Sequence, residues 1–518
     1  MRLLQLELTA FALALASAHS EACPQVLESA IVPLATQLDG NPASAGELWI
    51  GGDELLVASP FEDEVLRFER LADGSWSQVS SIFSIWSDGG VLQLFGASIS
   101  IDGSRAAFAQ TQYFEGGVAL YTRDTNGDWQ PDTIIGPLPG ASNQFANRIA
   151  LSENRLMIAD SSAGSGGVVY AGDEVAPGNW QFAQLEPTGG GVSFGRDEIV
   201  FAGNQVLIGD SLDDQFGFQS GAVYVFEESG TGSWAERQKL TASDATSAES
   251  FGSSIAVSGD TAVIGAAFSD SLGNGSGAAY VFERQADGTW LESQKLLPSD
   301  LEPGDTFGND VAIQGELLLV GAAEKDDAGS DAGAVYVFQR QLGTWVQIQK
   351  LFASDASNNA SFGHRLHLSS DRAVISLQSD PAVYVLDPNL LASPTGLSLT
   401  AGGNQTLDLQ AGSEHSGELY LVLGSATGSV PGLAVAPVFL PLNWDAYSAL
   451  SLQQAGQGIF QDTLGFLDPS GTGTARIQIP PLSNPALAGL ELRHAFLTIT
   501  LLGQVSFASN ATSLQLLP

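Results

Sequence analysis

A motif that recurs through the first three quarters of this 518-residue chain constrains its fold more than any other feature. The stretch "FGSSIAVSGDTAVIGAA" at residues 251–267 returns as "FGNDVAIQGELLLVGAA" at residues 307–323. More diverged copies keep the same order of an apolar strand, a short turn and a second apolar strand. The copies begin near residues 44, 95, 145, 194, 251, 307 and 362. Seven units at a spacing of roughly 50 residues fall in the range typical of propellers and solenoids.

Each unit contains four short runs of β-branched and aromatic residues. In the fifth unit these runs are "SIAVS", "TAVIGAA", "GAAYVFER" and "WLESQKL", and Gly, Asp and Asn turns separate them. This order predicts a four-stranded antiparallel meander. The runs are apolar on nearly every residue, which is typical of strands buried on both faces. Sheets that pack face to face around an axis form a β-propeller, so we predict an all-β chain with a seven-bladed β-propeller.

The seventh unit ends early, and the N-terminus contains a strand that fits the gap. After the third strand, "AVYVLDPN" at residues 382–389, no further Gly-x-Trp follows. The segment "VLESAIVPL" at residues 26–34 is similar to the fourth strand "WLESQKLLP" at residues 290–298. We predict that residues 24–43 complete the last blade, which closes the ring and removes an exposed sheet edge. The predicted propeller domain therefore spans residues 19–390.

The remaining part of the chain, residues 391–518, lacks the repeat. It contains short apolar runs such as "ELYLVLGS" and "LRHAFLTITLLG", separated by Gly, Pro and Asn at strand-and-turn spacing. This pattern predicts a β-sandwich-like C-terminal domain. Attachment, sorting and capping are all open as its role.

The N-terminus has the composition of a secretory signal peptide. Arg2 precedes the apolar run "LTAFALALASA" at residues 8–18, and small residues at its end are suited to cleavage, so residues 1–18 are predicted to be removed. Cys23 is the single cysteine of the chain, which excludes an internal disulfide. No later apolar run approaches the roughly 20 residues of a membrane-spanning helix. We expect a secreted or cell-surface protein without a transmembrane helix.

The net charge of the chain excludes some classes of binding partner. The chain has 58 acidic and 19 basic residues, for a net charge of −39. A chain this acidic repels nucleic acid and anionic membrane surfaces. We therefore expect an extracellular protein or glycan as the ligand, no nucleic acid, and a monomeric protein.

The stretch "DTNGDWQPD" at residues 124–132 places oxygen-bearing side chains at the spacing of a calcium loop. Six units, however, carry Gly-x-Trp at this same point of the repeat, and Asn-Gly is a strong hairpin signal. Trp129 also stands where a calcium loop usually has glycine. We predict a hairpin turn and no cofactor, and keep calcium as the alternative.

The repeats resemble the FG-GAP family. Phe251-Gly252 with "VIGAA", Phe307-Gly308 with "LVGAA" and the downstream "GAAYVFER" and "GAVYVFQR" carry this resemblance. The family builds the seven-bladed head of integrin α chains, and a variant of it occurs in bacterial secreted proteins. The resemblance implies a seven-bladed propeller and a role in adhesion or binding.

One feature of the integrin repeats is missing from this chain. Integrin-like repeats carry a "DxDxDG"-type calcium loop between their first and second strands. Here short turns such as "SGD" at residues 258–260 and "QGE" at residues 314–316 occupy that place. They supply fewer oxygen ligands than the six to eight of a calcium site. The resemblance therefore does not extend to calcium binding in these blades.

The long loops of the predicted propeller emerge on one face and are strongly acidic. They connect the second and third strands of a unit, or one unit to the next, and binding residues favour loops on rigid scaffolds. The alternative is an acidic rim that only keeps the protein soluble. The candidate ligand-binding residues are Asp210, Asp213, Asp214, Asp270, Asp326, Asp327 and Asp331.

Three hypotheses for the function follow. The first is a secreted or cell-surface binding or adhesion protein that uses this acidic face. The second is a propeller enzyme that acts on an extracellular polysaccharide or phosphoester, although the sequence assigns no catalytic residue. The third is a structural component of the cell envelope.

Overall fold

The structure is a computed structural model. It describes residues 31–34, 47–60, 63–70, 76–84, 94–111, 116–164, 166–230, 232–341, 343–353, 358–369, 372–378, 383–386, 390–393, 396–398, 403–410, 415–426, 433–435, 438–440, 446–469, 471–481, 491–500, 505–508 and 512–517. The predicted signal peptide (residues 1–18) and Cys23 lie outside the described residues.

The chain is all-β, as the sequence predicts, and it divides into two compact units. The first unit contains Val32–Gln347 and Phe352–Leu386, and the second consists chiefly of Asp387–Pro518. Within the described residues a single α-helix is present, α1 (Ala446–Gln453), in the second unit. None of the described helices is both long and apolar enough to span a membrane.

Seven four-stranded sheets lie chiefly in the first unit. In chain order their strands are β1 (Ile31–Leu34), β2 (Leu48–Gly51), β3 (Glu54–Ser59), β4 (Glu64–Arg70), β5 (Trp76–Phe83), β6 (Phe95–Asp102), β7 (Arg105–Gln110), β8 (Gly117–Arg123), β9 (Trp129–Ile135), β10 (Phe145–Ser152), β11 (Arg155–Asp160), β12 (Val168–Ala176), β13 (Asn179–Leu185), β14 (Ile199–Ala202), β15 (Gln205–Asp210), β16 (Ala222–Gly230), β17 (Ser233–Leu240), β18 (Ile255–Ser258), β19 (Thr261–Ala266), β20 (Ala278–Arg284), β21 (Trp290–Leu296), β22 (Phe307–Gln314), β23 (Leu317–Ala322), β24 (Ala334–Gln341), β25 (Thr344–Leu351), β26 (Arg365–Leu368), β27 (Ala373–Ser376) and β28 (Val383–Leu386).

Sheets one to six are meanders of four consecutive strands each: β2–β5, β6–β9, β10–β13, β14–β17, β18–β21 and β22–β25. The seventh sheet has the order β1-β28-β27-β26, so β1 pairs with β28 at the place where the sequence predicts a fourth strand from the N-terminal segment. The seventh sheet also contacts the first. Val374 lies in one apolar cluster with Leu48 and Ile50, and Arg372 pairs with Asp53 at 3.3 Å.

The repeated Phe-Gly pair joins each of the later sheets to the sheet before it. Phe251 is fully buried, and its ring meets that of Tyr280 edge-on at 5.5 Å. Its backbone forms a parallel bridge to Gly221 of the preceding unit, where an added Cβ would lie 2.1 Å from the Phe251 carbonyl oxygen. Gly252 has φ +90°, and a Cβ there would lie 2.6 Å from the Ala222 carbonyl oxygen. At this motif two backbones approach closely, and the buried phenylalanine ring holds them in contact.

A second set of contacts joins neighbouring sheets at the end that carries the short turns. Arg155 of the third sheet pairs with Glu228 of the fourth at 3.4 Å, and other neighbouring sheets have similar pairs. The indole Nε1 of Trp290 donates to Gln205 Oε1 of the preceding sheet at 2.9 Å, and Arg284 lies 5.3 Å from the ring centroid. The repeated Trp is a packing residue in this sheet.

The second unit contains the remaining strands and the helix. They are β29 (Leu390–Ser393), β30 (Gly396–Ser398), β31 (Gly403–Gln410), β32 (Leu419–Ser425), β33 (Leu433–Val435), β34 (Val438–Leu440), α1, β35 (Phe460–Gln461), β36 (Leu464–Phe466), β37 (Thr472–Ile479), β38 (Glu491–Ile499), β39 (Val505–Ala508) and β40 (Thr512–Leu517). One sheet has the order β29-β31-β37-β35, and another has the order β30-β40-β38-β32-β36 with β39 beside β38. Leu407 and Ile477 of the first of these sheets share one apolar core with Val422 and Phe496 of the other.

We predict that Gly252→Ala lowers the free energy of unfolding by more than about 1 kcal/mol, because the new Cβ meets a carbonyl oxygen at a φ that costs an L-residue energy. Gly230→Ala is the matched control, since nothing lies within 4 Å of a Cβ there and φ is not positive. Urea unfolding followed by tryptophan fluorescence measures both variants. Equal stability of the two variants would contradict the role assigned to the Phe-Gly contact.

The burial of His494 predicts that the stability of the second unit depends on pH. Burial lowers the pKa of His494 to about 3, and its Nε2 bonds to the Tyr447 hydroxyl at 2.9 Å. The unfolded chain, in which the histidine pKa is near 6.5, binds a proton at a higher pH than the folded chain does. The stabilisation that neutral His494 provides is therefore complete above pH 6.5 and is lost as the pH falls towards 3. The loss is about 1.4 kcal/mol by pH 5.5. Hydrogen exchange of residues 491–499 at pH 7.5 and 5.5 should show this loss in the wild type and a smaller one in His494→Gln.

Candidate functional site

Three loops between second and third strands share one conformation in the fourth, fifth and sixth sheets. We call them, with the connecting segments at residues 241–250 and 297–306, the long-loop face; the loops are residues 210–221, 268–277 and 324–333. In each loop an aspartate Oδ1 accepts the backbone N–H of the residue five positions later. The pairs are Asp214 with Gln219 at 2.7 Å, Asp270 with Gly275 at 2.8 Å, and Asp326 with Asp331 at 2.8 Å. These three carboxylates therefore fix the shape of their own loops.

Each loop is also bonded to the connection that follows its sheet. Ala248 N donates to the Phe218 carbonyl at 2.7 Å, and Thr306 N donates to the Gly275 carbonyl at 3.1 Å. In the sixth sheet, the Asp331 carbonyl accepts from the N–H of Ser361 at 2.9 Å. The loops are thus held both internally and against the neighbouring unit.

Asp210, which the sequence places among the candidate ligands, lies in the interior. Its side chain is 0% exposed, and its carboxylate accepts the backbone N–H groups of Val192 at 2.9 Å and Ser193 at 3.2 Å. Burial raises the pKa of this carboxyl group. Asp160 ends the second strand of the third sheet in the same way and accepts from Ser142 N at 2.5 Å. In both sheets, the aspartate that ends the second strand holds the connection from the preceding sheet.

Asp213 is also buried, with 4% of the residue exposed. It accepts hydrogen bonds from Lys239 Nζ at 2.8 Å and from the Tyr224 hydroxyl at 2.7 Å. Burial acts to raise the pKa of Asp213, but the bonds from Lys239 and Tyr224 outweigh it and the pKa is lowered. A carboxylate held in this way has no surface on which to receive an external ligand.

Three lysines near the long-loop face are paired with aspartates. Lys239 bonds to Asp213, and in the fifth sheet Lys295 pairs with Asp244 at 2.7 Å. Lys325 is almost fully buried and lies 3.1 Å from both Asp305 and Asp327. The sequence alone does not show that aspartates neutralise these lysines.

The candidate residues are therefore divided between interior and surface. Asp214, Asp270, Asp326 and Asp327 are exposed, and Asp331 is half-buried. Among the described residues, no group of three His, Cys, Asp or Glu side chains is close enough to hold a metal ion.

Four large apolar side chains that are not among the candidates predicted from the sequence are exposed on the same loops. They are Phe216 at 52% exposure, Phe218 at 66%, Phe268 at 54% and Leu272 at 43%. Phe218 and Phe268 flank one connecting segment, because Ala248 N donates to the Phe218 carbonyl and Phe268 N donates to the carbonyl of the next residue, Glu249, at 3.3 Å. The sequence does contain one signal for the three phenylalanines, because they lie outside the positions at which aromatic residues recur in the repeat.

Residues 124–128 form a hairpin turn, and that prediction is confirmed. It joins β8 to β9, with Asp124 N donating to the Asp128 carbonyl at 2.9 Å. Asp124 Oδ1 accepts the N–H of Asn126 at 2.8 Å and that of Asp128 at 3.0 Å, and these backbone bonds lower the pKa of Asp124. The carboxylate of Asp124 therefore closes its own turn.

A second candidate site lies within the first unit. A cavity of about 570 Å³ is lined by the first strands of six of the seven sheets. The charged side chains around it are Glu47, Glu198, Asp310 and Arg365. Asp310 is 8% exposed and accepts Leu366 N at 2.7 Å; burial raises its pKa to about 7, while Arg365 acts to lower it. The sequence alone does not indicate this group, because its members belong to four different repeats.

Comparison with known proteins identifies the repeat. Residues 234–282, 290–338 and 345–385 match the FG-GAP repeat, which confirms the resemblance predicted from the sequence. Each match runs from the fourth strand of one sheet to the third strand of the next, so the sequence repeat and the sheet are offset by one strand. No curated protein matches the chain.

Several solved structures are distantly similar. An extracellular domain of a hybrid two-component system from B. thetaiotaomicron is 10% identical, covers 96% of this chain and 59% of that chain, and has a TM-score of 0.45. A periplasmic gluconolactonase of Pseudomonas aeruginosa is 14% identical, with 69% and 92% covered and a TM-score of 0.40. A protein from Lactobacillus plantarum is 13% identical, with 71% and 91% covered and a TM-score of 0.41. Likeness at this level does not transfer a function.

Proposed function

We propose that the protein is a secreted or cell-surface binding protein whose long-loop face is the ligand-binding surface. In this proposal the seven sheets are the blades of a closed β-propeller, and residues 391–518 form a β-sandwich-like domain. The pairing of β1 with β28, the Arg372–Asp53 contact and the cavity lined by first strands support the ring. The apolar core shared by two sheets supports the sandwich.

The exposed apolar side chains on the long-loop face carry this proposal. Leaving a phenylalanine in water forgoes roughly 1.5–3 kcal/mol of burial free energy, and grouped exposed apolar residues mark interaction sites. Phe218 and Phe268 are grouped in this way on loops that Asp214 and Asp270 hold in place. A surface that is fixed before binding loses less conformational entropy when a ligand binds.

The N-terminal sequence supports export, since residues 1–18 have the composition of a signal peptide. We propose that the mature protein acts outside the cytoplasm as a monomer. If the purified protein instead assembles with itself in the absence of other components, a structural role in the envelope is favoured.

We predict that Phe218→Ser combined with Phe268→Ser removes binding while changing the free energy of unfolding by less than about 1 kcal/mol, because both side chains are mostly exposed. The probes are a printed glycan array and a printed array of peptides of varied net charge. The matched control is Val175→Ser combined with Leu291→Ser, which changes exposed apolar residues outside the long-loop face. Binding that both double variants retain would exclude this surface.

A second candidate function rests on the cavity. A buried carboxyl group with a pKa near 7 is suited to general acid or base catalysis at neutral pH, and Asp310 has this property beside Glu198 and Arg365. The second candidate is therefore a hydrolase that acts on extracellular glycosides or phosphoesters within the cavity.

If the cavity is catalytic, Asp310→Asn should lower turnover by at least about 100-fold, because the amide keeps the bond from Leu366 N but cannot transfer a proton. Release of nitrophenol from nitrophenyl glycosides and phosphodiesters measures the turnover. Asp260→Asn, at an exposed ion pair with Arg284, is the control. Wild-type rates equal to the blank would exclude this function for those substrates.

A further inference from the structure

We infer that the long-loop face binds a cationic polypeptide segment whose basic residues alternate with apolar ones. The inference rests on the proposed binding function of this face and specifies its partner. The apolar part of the surface is Phe218 and Phe268, with Phe216 and Leu272 on the same two loops. The polar part is the set of exposed aspartates described above.

The two phenylalanines are close enough to bind one segment. Phe218 belongs to the fourth sheet and Phe268 to the fifth, but the backbone of each is bonded to adjacent residues of one connection, Ala248 and Glu249. Because consecutive Cα atoms lie about 3.8 Å apart, the two rings project from points separated by only a few residues of extended chain. A short peptide therefore spans both.

The loop aspartates keep one oxygen for an external donor. Oδ1 of Asp214, Asp270 and Asp326 accepts a backbone N–H of its own loop. Oδ2 of each has no hydrogen bond from any described residue, and all three side chains are exposed. An ammonium or guanidinium group forms its strongest hydrogen bonds with such carboxylate oxygens. The loop bond also holds the carboxylate in a fixed orientation.

The negative charge of the long-loop face favours a positively charged partner. Lys239, Lys295 and Lys325 are each neutralised by a bonded aspartate. None of the three is paired with Asp214, Asp270 or Asp326, so those exposed carboxylates keep their negative charge. The whole chain adds to the field of these carboxylates with a net charge of −39. Complementary potentials favour a cationic partner and disfavour an anionic polysaccharide.

A polypeptide fits this surface better than a neutral glycan. A neutral sugar can donate its hydroxyl hydrogens to the aspartates, but it has no charge for the negative potential to attract, and phenylalanine offers it no hydrogen-bonding group. A basic side chain, in contrast, interacts both with a carboxylate and with the face of a phenylalanine ring. Apolar side chains between the basic ones would bury the remaining ring surface.

The test uses three short fluorescent peptides: one alternates Lys with Leu, one alternates Lys with Ser, and one alternates Glu with Leu. Titration with the full chain, followed by fluorescence anisotropy, should show binding of the Lys-Leu peptide, at least about tenfold weaker binding of Lys-Ser, and none of Glu-Leu. Phe218→Ser combined with Phe268→Ser leaves the net charge unchanged and should weaken Lys-Leu binding by at least about tenfold. Val175→Ser combined with Leu291→Ser should leave that binding unchanged.

Asp270→Asn separates the charge from the loop bond. The Asn oxygen can still accept the Gly275 N–H, so the loop keeps its shape while one negative charge is removed. We expect weaker Lys-Leu binding and a smaller dependence of that binding on salt.

Equal binding of the Lys-Leu and Lys-Ser peptides, unaffected by the phenylalanine substitutions, would overturn the inference, since it would show only attraction to an acidic protein. Glycan binding that is lost in the phenylalanine variant, without peptide binding, would leave the proposed function in place and overturn the inference about its partner. Absence of binding to either kind of probe would overturn both.

Discussion

The contact on which the later repeats depend is the close approach of two backbones at the Phe-Gly motif. Phe251 places its ring in the core between the fourth and fifth sheets, and its backbone bridges to Gly221 across a distance that leaves no room for a Cβ. The same bridge joins Phe307 to Gly277 and Phe362 to Gly333. Burial of the ring stabilises the contact by roughly 1.5–3 kcal/mol, and the two glycines remove the steric cost.

This contact explains why the loops that differ between units lie on one face. The bridge lies where a long loop ends and the next unit begins, so each loop is bonded to the connection that follows it. At the opposite end of the sheets, ion pairs such as Arg155–Glu228 join neighbouring sheets. The turns at that end are short and expose little surface that could vary. The long loops can therefore differ between units without loss of the packing beneath them. The phenylalanines of the fourth and fifth sheets occur on loops of this kind.

The repeated aspartates show which part of their placement the sequence predicts and which part it does not. The positions of Asp214, Asp270 and Asp326 in long loops on one face could be predicted from the repeat. Their hydrogen bonds to their own loops could not, because that role depends on a backbone conformation with positive φ at Gln219, Gly275 and Asp331. Acidity alone does not distinguish a loop-closing carboxylate from one that only faces solvent or a ligand.

The sequence by itself determined the all-β class, the seven units, their four strands and the hairpin at residues 124–132, because local patterns of apolar residues and turn residues encode these features. The tertiary structure alone decided which charged groups are buried. Asp210 and Asp213 are near Asp214 in the sequence, yet both are buried. The connection from the preceding sheet covers Asp210, and two neighbouring strands cover Asp213. The tertiary structure also decided the cavity group, in which Glu47, Glu198, Asp310 and Arg365 meet from different repeats. Burial and long-range proximity are properties of the packed sheets, and no single repeat contains them.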